Sequence, residues 1–106
     1  MAIDINAIIN EFKIEAKRLY GDDLKQIILY GSWARGEARP ESDIDLLVVL
    51  KGEIIPGREI DRMLDIITDI NLEHTILLTV LPMSESEYTQ VNSPLLLNIR
   101  REGVAA

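Results

Sequence analysis

The chain contains no cysteine, which excludes a disulfide scaffold, a thiolate metal site and a cysteine nucleophile. Aromatic residues are few, with one Trp, three Tyr and one Phe, and they offer little for a base-stacking platform. Positive charge is also in deficit: 11 Lys and Arg stand against 18 Asp and Glu, for a formal net charge of −7 with the single histidine neutral. A protein that holds a phosphate backbone by charge alone normally carries a basic stripe. Here the basic residues are scattered and Arg100-Arg101 is only a pair, so direct nucleic-acid binding is not expected. No apolar run approaches the roughly 20 residues that cross a bilayer. The N-terminal stretch MAIDINAIINEF has no basic region followed by an apolar block, so no secretory leader is expected. These absences point to a soluble, cytoplasmic protein.

What remains is 106 residues, 47% of them hydrophobic, enough to pack the core of one small domain spanning 1–106. No repeat or low-complexity linker divides it. Asp4 or Asn6 can cap a first helix with Ile5, Ile8, Ile9, Phe12, Ala16 and Leu19 on one face, and Gly21 is suited to end it. Lys25–Tyr30 reads as a strand that stops at Gly31-Ser32, and Trp33–Ala38 as a turn or two of helix before Pro40. Ile44–Leu50 is apolar and β-branched enough for a central strand covered on both faces. Pro56 or Gly57 opens a long helix with Ile60, Met63, Leu64, Ile67 and Ile70 on its buried side and Glu59, Asp61, Asp65 and Asp69 on its wet side. Thr75–Leu81 is expected to be a third strand closed by Pro82, with His74 at its edge. Ser84 and Glu87 have capping-box spacing, and a last amphipathic segment runs from about Pro94 to Arg101. The order α-β-(α)-β-α-β-α gives an α+β (α/β-like) fold, a small mixed sheet flanked by helices.

An acidic protein can still handle nucleotides if its carboxylates hold a metal ion. Asp43 and Asp45 are two apart at the opening of the central strand, so both emerge from one face, roughly 6.5–7 Å apart along the chain. At that separation they can lean toward one divalent ion, and oxygen ligands combined with a triphosphate suit Mg²⁺. Gly31 lets backbone approach a phosphate, Ser32 offers its hydroxyl and N–H at the start of a helix, and Arg35 lies on the first turn, where it can pair with phosphate oxygens or with Glu37 or Glu41. Ser42 is placed to cap the turn and orient Asp43, and Gly36 to relieve crowding beside a ligand. Trp33 is expected to pack or to contact a partner rather than to stack on a base.

Gly-Ser, ten residues, then Asp-x-Asp opening an apolar strand is a specific combination. The stretch GSWARGEARPESDIDLLVV resembles the DNA polymerase β-like nucleotidyltransferases, and most closely their small single-domain members, the minimal nucleotidyltransferases. The resemblance implies a nucleotidyltransferase fold. It implies nucleotide binding through Gly31, Ser32, Arg35 and Ser42, and catalysis and Mg²⁺ ligation through Asp43 and Asp45. It implies transfer of a nucleoside monophosphate, AMP from ATP, to a hydroxyl. Small relatives often act as antitoxins beside a helical HEPN-domain partner, so the acceptor is expected on such a partner. Transfer to a small molecule would need an acceptor pocket, which a homo-oligomer would supply.

One departure opens an alternative. The superfamily usually adds a third carboxylate on a later strand, and Thr75–Leu81 contains no Asp or Glu. Glu73, just before it, is the one substitute. A chain without that carboxylate can instead be a non-catalytic module that neutralises its partner by binding.

Overall fold

The computed structural model describes residues 4–106, so Met1, Ala2 and Ile3, which begin the stretch read above as lacking a leader, lie outside the described residues. In chain order the elements are α1 (Ile5–Tyr20), a 3-10 turn, β1 (Leu24–Tyr30), α2 (Ser32–Arg35), β2 (Ile44–Leu50), α3 (Pro56–His74), β3 (Leu78–Ser84), α4 (Glu85–Gln90), α5 (Pro94–Glu102) and β4 (Val104–Ala105). The strands lie in the order β3-β2-β1-β4. β1 runs antiparallel to β2 and β4, while β2 and β3 are parallel across the α3 crossover. The fold is therefore α+β with a mixed sheet.

Alternation along β2 divides the core. Ile44, Leu46, Val48 and Leu50 pack with Ile8, Phe12, Ala16, Met63 and Ile70 of α1 and α3. Leu47 and Val49 face the other way, onto Ile28, Met83 and the α5 residues Leu96 and Ile99. Each of these large side chains contributes about 1.5–3 kcal/mol when fully buried, so the two helical layers hold the sheet from both sides. Helix starts are set by local caps: Asp4 Oδ1 accepts from Ala7 N–H, Ser84 Oγ from Glu87 N–H and Ser93 Oγ from Leu96 N–H.

Several expectations are corrected. β3 begins at Leu78 and contains Pro82, whereas Thr75 is the left-handed cap of α3, at φ 52°. Pro82 is tolerated because β3 is an edge strand whose single neighbour among the described residues is β2, and a proline can sit there without removing a ladder bond. Leu64 is 52% exposed, because the crossover turns its inner side toward Met63 and Ile70. His74 ends α3 instead of edging a strand. Its Nε2 lies 2.8 Å from Glu11 Oε2 and ties α3 to α1; the imidazole holds the Glu11 carboxyl below the usual carboxylate range. The short β4, absent from the sequence reading, pairs with Ile28 and Leu29.

Glu59 departs furthest from expectation. Expected on the wet side of α3, it is only 6% exposed. Its Oε1 accepts from Tyr20 Oη at 2.9 Å and from Arg62 Nη1 at 3.1 Å, and the Arg62 guanidinium lies over the Tyr20 ring. A buried carboxylate is stable only when hydrogen-bonded and paired, and both conditions are met.

Tyr20→Phe removes one of those bonds and should lower the unfolding free energy by about 1–3 kcal/mol, measured as a drop in the urea midpoint at constant slope; an unchanged midpoint would refute the role assigned to this bond. Thr75→Gly relieves a β-branched residue of left-handed backbone at an exposed position and should stabilise the fold by about 1 kcal/mol in the same assay. A loss of stability there would show that Thr75 is unstrained.

Candidate active site

β1 ends at Tyr30, which pairs with Asp45 of β2. The backbone then turns through Gly31 at φ 76° into the single turn of α2, which Gly36 closes in the left-handed region. A Cβ built on Gly31 would overlap the Asp45 carboxylate. Glycine is thus required twice, by its dihedral and by the carboxylate lying against its backbone. Gly36 has open space around it, so it serves as a cap and not to relieve crowding.

The connection from α2 to β2 is held by its own hydrogen bonds. Trp33 Nε1 donates to the Ser42 carbonyl at 3.0 Å, and Ser42 Oγ accepts from Arg39 N–H at 2.8 Å. Trp33 accordingly packs against the core, and the Ser42 hydroxyl is used to fix the turn that delivers Asp43. Asp43 is exposed and Asp45 half-buried. Asp45 shares the face of β2 that carries Leu47 and Val49, and across the sheet it lies between Tyr30 on β1 and Thr79 on β3.

Burial raises the proton affinity of Asp45, the Asp43 charge raises it further, and Arg35 offsets only part. Tyr30 is pushed up as well, by burial and then by Asp45. The pair is therefore short of positive charge, and an all-oxygen donor set with uncompensated negative charge fits a hard divalent cation. Arg35 is engaged by two carboxylates, its Nε 3.2 Å from Glu37 and its Nη1 3.5 Å from Glu102. Of the two partners weighed from sequence, Glu37 is used, and Glu102 joins it from α5.

The α5 contribution was missed by sequence reasoning. A small cavity of about 230 Å³ opens beside Gly31, lined by Tyr30, Arg35, Leu95, Asn98 and Glu102 among others. Leu95, Asn98 and Glu102 recur at 3–4 spacing opposite the buried Leu96 and Ile99, which is the signal that could have found them. β3, even with its shifted bounds, carries no Asp or Glu. Glu73 lies instead with Glu11 and His74, their ligand atoms all within 4.8 Å of one another.

Because the folded-state proton affinity of Asp45 is raised, its ionisation opposes folding. Its contribution is fully present below the ordinary aspartate value of about 4 and is lost as pH rises through the raised value. Asp45→Asn should therefore unfold at a higher temperature than the parent at pH 7, with the gap shrinking toward zero near pH 3. A gap of equal size at both pH values would refute the electrostatic account.

The family described as "Nucleotidyltransferase domain" matches residues 9–95. Two similar proteins of Methanocaldococcus jannaschii each bear the name "Putative protein adenylyltransferase". One is 49% identical over 69 residues, covering 65% of this chain and 45% of its own length. The other is 33% identical over 96 residues, covering 90% of both. The chain thus spans under half of the first relative and nearly all of the second. Among solved structures, a toxin–antitoxin with AMP-PNP matches with a TM-score of 0.59 at 20% identity, over 91% of this chain and 71% of that one. A mutant of the toxin–antitoxin MntA-HpeT matches with a TM-score of 0.61 at 16% identity, over 98% and 72%. At such identities the likeness is one of fold. Together with a family match running from α1 into α5, it places this chain in the nucleotidyltransferase domain family.

Proposed function

We propose that the chain transfers AMP from Mg²⁺-bound ATP to a hydroxyl group of a protein partner, a HEPN-type toxin that it thereby neutralises. The observation that carries this reading is the contact between the Gly31 backbone and the Asp45 carboxylate, which brings the two halves of the motif into one site. The names of the relatives support adenylyl transfer to a protein, and those of the structural neighbours support a toxin as the partner. The −7 charge supports a protein acceptor over a nucleic acid.

In this reading Asp43 and Asp45 hold Mg²⁺, which supplies charge neutralisation at the α-phosphate and at the departing pyrophosphate. Gly31 and Ser32 present backbone and hydroxyl donors to the triphosphate. Arg35 exchanges its two carboxylate partners for phosphate oxygens. The acceptor oxygen bonds to the α-phosphorus as the bond to the β-phosphate bridging oxygen breaks, so pyrophosphate leaves with that electron pair. With no carboxylate on β3, the hydroxyl proton passes to water, and turnover is slow. That same lack supports the second reading, a partner-binding module without turnover.

Incubation with α-labelled ATP, Mg²⁺ and a HEPN-type toxin that the chain neutralises should label the toxin. Asp43→Asn combined with Asp45→Asn should cut the label by about a hundredfold or more. In thermal melts, Mg²⁺ with ATP should stabilise the parent and not the double variant. Toxin label that never exceeds that of the double variant, with the parent still neutralising the toxin, would establish the binding module instead.

A further inference from the structure

A second cavity lies away from the motif. It is a cleft of about 820 Å³ lined by the outer side of α1 and the start of β1 and also by Tyr88, Ile99 and C-terminal residues. Three features converge there. First, the outer edge of β1 is open: β4 pairs only with Ile28 and Leu29, and Ala106 N–H reaches the Ile27 carbonyl. Leu24, Lys25 and Gln26 lie beyond that point; β2 flanks them on the inner edge, and no strand flanks their outer edge among the described residues. Second, the lining includes the apolar Ile14, Ile27, Ile28 and Ile99, and Ile14 is 45% exposed.

Third, the charge of this cleft is opposite to that of the chain. Lys13, Lys17, Arg18, Lys25 and Arg100 line it, and no Asp or Glu does, in a chain of net charge −7. Arg18 is paired with Glu15. Arg100 donates to the Tyr88 and Val91 carbonyls and to Asn92 Oδ1. Lys13, Lys17 and Lys25 form no ion pair among the described residues. Lys13 and Lys17, read from sequence as the wet side of the first helix, thus border an apolar cleft beside an open strand edge.

We propose that this cleft docks an extended, acidic segment of a partner polypeptide, which adds as a strand along the open end of β1 with its carboxylates on Lys13, Lys17 and Lys25. An open edge supplies backbone hydrogen bonds to an incoming strand, and the flanking side chains supply selectivity. Single-stranded nucleic acid fits less well, because Tyr88 is the one aromatic residue in the lining and its ring is covered by Arg100, so bases have no platform. The cleft is separate from Asp43 and Asp45, so docking and transfer fail independently.

The test uses two fluorescein-labelled 12-residue peptides in which Thr and Val alternate with Glu in one and with Lys in the other, followed by fluorescence anisotropy. The glutamate peptide should bind at least about tenfold more tightly than the lysine peptide, and its affinity should fall with salt. Lys13→Glu with Lys17→Glu should weaken it at least tenfold, while Arg58→Glu on α3 should leave it unchanged. Asp43→Asn with Asp45→Asn should also leave it unchanged, which separates this inference from the proposed activity. Hydrogen exchange should slow at the amides of Leu24–Gln26 when the peptide is bound, a readout that variant misfolding cannot mimic. Equal binding of the two peptides would overturn the proposal. So would displacement of the glutamate peptide by an equal concentration of a 12-residue oligouridylate, or a peptide-independent dimer that the two lysine substitutions abolish.

Discussion

A strand that is apolar on both faces is satisfied only with a neighbour on each edge and a helical layer on each side, and β2 imposes that constraint on this chain. Of Ile44–Leu50 only Asp45 is polar, and the other six residues are buried. β1 and β3 provide the neighbours, α1 with α3 one layer and α5 the other. The same alternation that drives Leu47 and Val49 into the α5 layer puts Asp45 on that face, at the end of the strand where the apolar cover gives way to α2. The carboxylate is half-buried because its strand must be fully buried, and its raised proton affinity follows from that position.

Charge distribution gives the molecule two distinct ends. At the C-terminal end of β1, Asp43 and Asp45 face a deficit of positive charge that Arg35, engaged by Glu37 and Glu102, offsets only in part. At the N-terminal end, lysines gather around an apolar cleft. A net charge of −7 conceals this polarity, because the acidic residues are spread over exposed and half-buried positions of helices, turns and loops. Glu59 is the exception, since its charge is buried and answered by Tyr20 and Arg62.

How much was legible in the sequence depended on how local each determinant is. The strand–turn–strand surroundings of Gly31, Ser32, Asp43 and Asp45 could be read because a glycine turn, a proline and an apolar run all fall within a short stretch. The caps at Asp4 and Ser84 were readable for the same reason. Burial of Glu59 was not, since its partner Tyr20 lies 39 positions earlier and helical periodicity says nothing about such a partner. Thr75–Leu77 resembles strand as strongly as Leu78–Leu81 does, and only pairing of Ile44 with Leu78 settles where the ladder starts. β4 exists only because Ile28 and Leu29 offer it an edge. Asn98 and Glu102 reach the motif's cavity through the packing of α5 on the sheet, a long-range event. Chemistry carried by a contiguous motif is visible in one dimension, whereas the groups that surround it are assembled by the core.

β1 connects the two ends as one seven-residue strand whose register with β2 shifts between Leu24 and Gln26. At about 3.3 Å per residue, Leu24 and Tyr30 stand roughly 20 Å apart. Because β2 is paired with β1 from Gln26 to Tyr30, that interval behaves as a ruler and not as a hinge. A partner segment seated beside Leu24 would therefore present for modification only a side chain that its own structure can carry across this fixed distance. About six or more fully extended residues would be needed to bridge it. Selection of the acceptor would then be a matter of reach as much as of local chemistry.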